Sequence, residues 1–258
     1  MSIILNEYKW AESALSEMSL GKKPTETLGR IAKYYMYNGN TKAESREMLD
    51  AFLLSCEPNT SVTGWSDTLD RIVKNAEKYP LIVIDSVPVT KKEMECIQKV
   101  PGMQLQRLAF TLLCVAKYKK MTSEKNDYWV NTPDRDIMKM ANIKTSVKRQ
   151  SIMFGQLKDL GLIRFSKKVD NTSVQVLFAQ DGETAIEVSD FRNLGYQYMN
   201  YFGGQYFICE CCGIMDKYND DDRGRRRKYC ESCSVKIRIK QSVDSVMRKR
   251  NTAKLQIV

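Results

Sequence analysis

Apolar residues in the first eighty positions recur at intervals of three and four, the period of helices that bury one face. Asn6 to Ser19 reads as one amphipathic helix. A second is expected from a cap at Thr25 to about Asn38, with Leu28, Ile31, Ala32 and Tyr35 on its inner face. Thr41 and Glu44 form a capping box ahead of Met48, Leu49, Phe52 and Leu53, and Ser66 is placed to cap a helix that buries Leu69, Ile72, Val73 and Ala76. The turn formers Asn38-Gly39-Asn40 and Pro58-Asn59 separate these helices. At Leu81-Ile82-Val83-Ile84 the pattern changes to a short β-branched run, which predicts a strand. Thr90 with Glu93 then opens another helix, to about Lys99, and Pro101-Gly102 breaks it.

From residue 103 the order of elements becomes informative. Leu105 to Lys119 is a strongly apolar helix. Pro133, with Asp134 and Asp136 behind it, starts a short helix ending near Ala141, and Asn142 suits a left-handed turn. Thr145 is expected to cap a longer helix to Leu160, stopped by Gly161. At 100° per residue, Val147, Gln150, Phe154, Leu157 and Leu160 should face inward, leaving Thr145, Lys148, Arg149, Ile152 and Gln156 outward. Leu162 to Lys168 and Ser173 to Phe178 alternate as two strands of a hairpin, with Lys167 and Lys168 near its turn. The whole predicts a mainly α chain with small β elements, of the α+β class. Its parts are a helical region over 1–102 with one short strand, a compact unit over 103–180, a connector over 181–206, and a cysteine-bearing unit over 207–258.

That last unit carries the clearest chemistry. Cys209 and Cys212 form one C-x-x-C, Cys230 and Cys233 another, and 17 residues separate them. Two such pairs let four thiolates converge tetrahedrally on one structural Zn²⁺, with no open position for substrate. Gly213 permits the left-handed backbone of a metal knuckle. Cys211 is a possible competing ligand, but the C-x-x-C-Gly register favours Cys212. Disulfide pairing is the alternative. The other cysteines, Cys56, Cys96 and Cys114, are isolated in apolar surroundings, as reduced thiols in a cytoplasmic protein would be. Neither a membrane span nor an export leader is expected.

Charge points the same way. The chain carries +10, and residues 223–258, with twelve Lys/Arg against two acids, hold all of it. Clustered positive charge on a neutral body gains most from a polyanion, because each phosphate contact releases counterions. Arg223, Arg225, Arg226, Arg227 and Lys228 lie in the loop between the cysteine pairs, and Lys236, Arg238 and Lys240 follow on the helix expected from Ser234. An acidic protein partner is the competing explanation. The sequence has no histidine, no phosphate-binding glycine loop and no paired acids at useful spacing, so an enzyme is not expected. Asp220, Asp221 and Asp222 alone do not make a two-metal nuclease. The tyrosines at 196, 198, 201 and 206 suit the packing of a domain junction better than stacking on bases.

Three resemblances follow from these residues. Helix, short helix, turn, longer helix and hairpin, with the phrase Gln156-Leu157-Lys158-Asp159-Leu160-Gly161-Leu162-Ile163 at its junction, resembles a winged helix-turn-helix. This implies that Thr145, Lys148, Arg149 and Gln156 contact DNA, with Lys167 and Lys168 on a wing. The four cysteines resemble those of a GATA-type, treble-clef zinc finger in spacing, though not in loop sequence. The layout, with Phe191-Arg192-Asn193-Leu194-Gly195 and Tyr229-Cys230-Glu231-Ser232-Cys233, looks like that of proteins encoded by phages and mobile elements of Gram-positive bacteria. That implies a role in replication initiation or transcriptional control, in a bacterial or infected host cell. Duplex DNA is the expected partner and RNA a second. The alternative is a protein-interaction module that inhibits or remodels a host nucleoprotein complex, such as a defence complex.

Overall fold

The structure is a computed structural model that describes residues 3–167, 173–218 and 227–255, with side chains described up to 248. It divides into two compact units, one formed by residues 3–87 and one beginning at Pro88.

The first unit holds four helices, α1 (Glu7–Ser16), α2 (Pro24–Tyr37), α3 (Lys42–Cys56) and α4 (Val62–Lys78). α2 lies against the other three. Leu28, Ile31, Leu49, Leu53 and Leu69 are fully buried at the centre, and Trp10 and Trp65 pack on the edge. Thr41 and Glu44 make both bonds of the expected capping box. Two other starts differ from the sequence reading. Thr25 is not a cap, because the helix already begins at Pro24, whose missing N–H and fixed φ suit the first helical position. Ser61, not Ser66, caps α4; its hydroxyl accepts from the Gly64 N–H, and Ser66 lies one turn inside.

Leu81 to Ile84 is not a strand. Among the described residues its backbone pairs with the segment leading into α1, through Glu7 N–H to the Ile82 carbonyl at 2.8 Å and Ile84 N–H to the Leu5 carbonyl at 3.0 Å. This leaves one isolated bridge, Asn6 to Val83. A β-branched run needs a neighbouring strand to become one, and here a helix terminus occupies that place. The Glu7 carboxylate fixes the junction by accepting from the Ile82 N–H and pairing with Lys33 and Arg30.

The second unit opens within β1 (Val87–Thr90), which leads into α5 (Lys91–Gln98) through the expected Thr90–Glu93 capping box. α6 (Met103–Thr122) follows, with an unbroken buried run from Leu108 to Tyr118. A helix buried all round must have neighbours on every side. Here they are α5, β2 (Trp129–Val130), α7 (Asp134–Met140), α8 (Val147–Asp159), β4 (Val174–Val176) and α9 (Leu194–Tyr201). Buried Lys117 on α6 pairs with the fully buried Glu93 at 2.9 Å, and Glu93 also accepts from the Gln180 N–H. β3 (Ile163–Phe165) pairs antiparallel with β4, Ile163 opposite Val176, and β2 lies on the other side of β4, Val130 opposite Val174. β5 (Thr184–Val188) pairs with β1, so the stretch read as a connector holds a strand and α9. β6 (Tyr206–Ile208) and β7 (Met215–Lys217) form a hairpin, and α10 (Glu231–Leu255) ends the described chain.

α8 is shifted from the sequence reading. Ser146, not Thr145, caps it by accepting from the Arg149 N–H. Of the five residues expected inside, Phe154 and Leu157 are buried, with Met153 beside them. Gln150 is half-buried, whereas Val147 and Leu160 are 77% and 48% exposed. Val147 is the first helical residue and Leu160 the C-cap, so both ends project past the part of the helix that packs on the body.

Candidate metal centre

The cluster is built from two local structures. β6 and β7 pair with Ile208 opposite Met215, so residues 209–214 form the hairpin tip. The Cys209 N–H donates to the Ile214 carbonyl at 2.9 Å and the Gly213 N–H to the Cys209 carbonyl at 2.9 Å, a tight ring closed by Gly213 at φ +71°. With this left-handed turn, Cys209 and Cys212 fall into one cluster. Cys230 immediately precedes α10 and Cys233 lies in its first turn, so the helix itself presents the second pair.

All four Sγ atoms lie within 4.8 Å of one another, and the Cys212 and Cys230 sulfurs are 3.7 Å apart. A tetrahedral thiolate site with metal–sulfur bonds of about 2.3 Å has sulfurs about 3.8 Å apart. The cluster therefore fits a thiophilic ion such as Zn²⁺. Cys209, Cys230 and Cys233 are buried and Cys212 is half-buried, while Cys211 is exposed and outside the group. Burial opposes ionisation of Cys209, but the Cys230 N–H, 3.3 Å from its sulfur, and the amides of Cys212 and Cys211 reverse this and hold its thiol at about 6. Amides that converge on a sulfur favour the thiolate, the form that ligates metal. Burial and the crowd of neighbouring thiols push Cys233 the other way. A cation at the centre is what four such sulfurs need.

The basic residues divide between several elements. Lys228 bonds to the hairpin, its carbonyl accepting from the Glu210 N–H at 3.0 Å while its exposed ammonium lies 3.4 Å from the Glu210 carboxylate. Arg227 lies over the Phe207 ring at 5.9 Å. Lys236, Arg238 and Lys240 are exposed along α10. Lys148 and Arg149 are exposed in the first turn of α8, and Lys167 is exposed beyond β3. Thr145 precedes the cap and is half-buried. Gln156 is half-buried rather than exposed, and its Oε1 is enclosed without a described hydrogen-bond partner. Arg223, Arg225, Arg226 and Lys168 lie outside the described residues, as do the acids Asp220 to Asp222.

Sequence reasoning missed the residues that seat the cysteine hairpin. Arg192 donates to the Cys212 carbonyl at 2.7 Å and is braced by Asp190. Asn193, left-handed at φ +58°, donates to the Met215 carbonyl at 2.9 Å. Asn142, also left-handed in the turn between α7 and α8, donates to the Asn193 side chain at 2.9 Å and accepts from the Tyr196 N–H at 3.2 Å. The chain Asn142–Asn193–Met215 thus runs from the helix turn to the cysteine hairpin. Phe191 and Leu194 are buried beneath it, and Gly195 meets the Ala141 carbonyl so closely that no Cβ fits. The signal available was the run Arg192-Asn193-Leu194-Gly195, but its partners lie far away in sequence.

Family profiles, curated proteins and solved structures were all compared with the chain, and none matches it. Among the described residues no helix is long and apolar enough to cross a membrane.

Proposed function

We propose that the chain is a nucleic-acid-binding protein, with a Zn²⁺-organised treble-clef finger and a winged helix-turn-helix as its two contact surfaces and duplex DNA as its target. The observation that carries this is the coincidence of charge and metal ligands: residues 223–258 hold the whole net charge of +10 and also contain Cys230 and Cys233. A bound ion would fix the start of α10 and with it the spacing of Lys236, Arg238 and Lys240. Fixed charges keep more of their gain on meeting phosphates than charges on a loose tail.

The order of α6, β2, α7, α8, β3 and β4, with β2 and β3 on either side of β4, supports the winged-helix reading. α8 then takes the place of the recognition helix, with Lys148 and Arg149 at its exposed N-terminal end, where such helices meet base edges. The phage or mobile-element likeness would make this a factor in replication initiation or transcriptional control.

One observation favours a second reading, a module that docks on a protein of a nucleoprotein complex. Val235, Ile239, Val243 and Val246 form an exposed apolar stripe along α10, which nucleic acid alone does not need. The two readings separate in one experiment. Purified full-length protein, loaded with zinc and free of partners, should shift a naked duplex at moderate salt. Lys148→Ala and Arg149→Ala should each lower the preference for a selected site, by about 1–3 kcal/mol where a base contact is lost. Lys236→Gln with Arg238→Gln should weaken binding to all sequences and flatten the salt dependence. A protein that shifts no duplex at any salt concentration leaves the docking module as the function.

A further inference from the structure

Arg107 sits near the start of α6, the most deeply buried helix of the unit, and its guanidinium has an unusual set of neighbours. Nη1 reaches the Asn142 carbonyl at 3.4 Å and the Met199 thioether at 3.8 Å. Nε is enclosed and has no hydrogen-bond partner in the described structure. The phenols of Tyr196 and Tyr206 complete the surroundings, their rings 5.1 Å apart. No carboxylate pairs with Arg107 among the described residues. By contrast, the partly buried Arg30 and Arg46 each lie beside acids, as does Arg192.

A guanidinium carries five N–H donors and remains protonated in proteins. Here, two neutral and weakly held acceptors serve it. Tyr206 is in the same position, since its hydroxyl donates at 3.2 Å to the Met199 sulfur, a poor acceptor. The cluster therefore has more donors than acceptors, and no carboxylate balances its positive charge among the described residues. Arg107 is half-buried, and a partly desolvated charge without a counter-charge lowers stability unless something pairs with it. A compact oxyanion satisfies every part of the arrangement. It accepts the two-pronged guanidinium bond and the Tyr206 hydroxyl at once, and it supplies the missing charge.

We propose that Arg107, with Tyr206 and Tyr196, forms a phosphate-binding site that takes a backbone phosphate of the bound nucleic acid. Its place in the fold suits this. Asn142, whose carbonyl Arg107 touches, is the turn between α7 and α8, and Met199 belongs to α9, whose N-terminal loop seats the cysteine hairpin. Arg107 thus touches elements tied to both proposed contact surfaces. The site is inferred from its own geometry, and only the source of the phosphate rests on the nucleic-acid reading.

The test uses zinc-loaded full-length protein with two ligands. In thermal unfolding, inorganic phosphate should raise the Tm of wild type above that in chloride of equal ionic strength. Arg107→Gln should melt higher than wild type without phosphate and should lose most of the phosphate increment. Arg107→Lys, a conservative variant in case the Gln form misfolds, should keep the charge but lose the two-pronged bond, giving a smaller increment. With a duplex oligonucleotide, the slope of log K against log salt should fall by about one in Arg107→Gln, the loss of a single phosphate contact. Arg107→Gln that melts below wild type with its phosphate increment intact would make Arg107 a packing residue and overturn the site. A lost phosphate increment with an unchanged duplex slope would overturn the nucleic-acid source and leave a site for free phosphate. If wild type binds no duplex but phosphate still protects it through Arg107, the proposed function fails while the anion site stands.

Discussion

At the scale of single residues, two helical glycines show how differently one residue type is constrained. Gly29 lies inside α2 with nothing within 4 Å of where a Cβ would stand. Its flexibility is needed only by the unfolded chain, so Gly29→Ala should stabilise the protein by about 0.5–1 kcal/mol. Gly195 lies at the start of α9 against the Ala141 carbonyl, and a methyl there would overlap backbone that cannot move aside. Gly195→Ala should cost about 3 kcal/mol or more, at the upper end for overpacking, as read from the denaturant midpoint. A loss below 1 kcal/mol would mean that α9 can lift away from the α7–α8 turn. Residue-scale features divide in legibility along the same line. Asn142 and Gly213 could be read as left-handed because a turn declares itself within a few residues, and both are. Gly195 and Arg107 could not, because what constrains them is backbone and side chains from other elements.

At the scale of elements, local chemistry was readable where it had no close competitor. The boxes Thr41–Glu44 and Thr90–Glu93 formed as expected because each needs only two residues at fixed spacing. Choosing among several hydroxyls failed twice, at Ser61 against Ser66 and at Ser146 against Thr145, since each candidate precedes a plausible apolar period. The first choice can be tested directly. Ser61→Ala should destabilise the protein by about 1 kcal/mol through loss of the cap, and Ser66→Ala should cost clearly less. Equal losses in urea unfolding would remove the distinction. Leu81 to Ile84 failed for another reason: whether an apolar run becomes a strand depends on a partner elsewhere in the chain. The inner face of α8 was read too long because periodicity continues past the point where the body ends.

At the scale of the whole molecule, the cysteine cluster was the most legible part of the site and its seat the least. Four ligands at two C-x-x-C spacings are specified by sequence alone, and the structure gathers those four and leaves Cys211 out. Protein purified without added metal should carry one zinc per chain. Cys230→Ser should lose it, and Cys211→Ser should keep it. Chelation should speed hydrogen exchange in β6, β7 and the first turns of α10, where a bound metal would be the main cross-link, but not in the centre of α6. Uniform acceleration over both would show that the cluster supports the entire unit. The seat has a bearing on how such a protein can arise. A small metal-binding unit joined to its neighbour only by a flexible tether could move between proteins as a cassette. Here the joint is a fitted surface: two left-handed asparagines, an arginine and a glycine with no room to spare, divided between distant stretches of the chain. A cysteine hairpin transplanted from elsewhere would arrive without the Asn142 side of this seat, so exchange at this boundary should be tolerated only when the α7–α8 turn is inherited along with it.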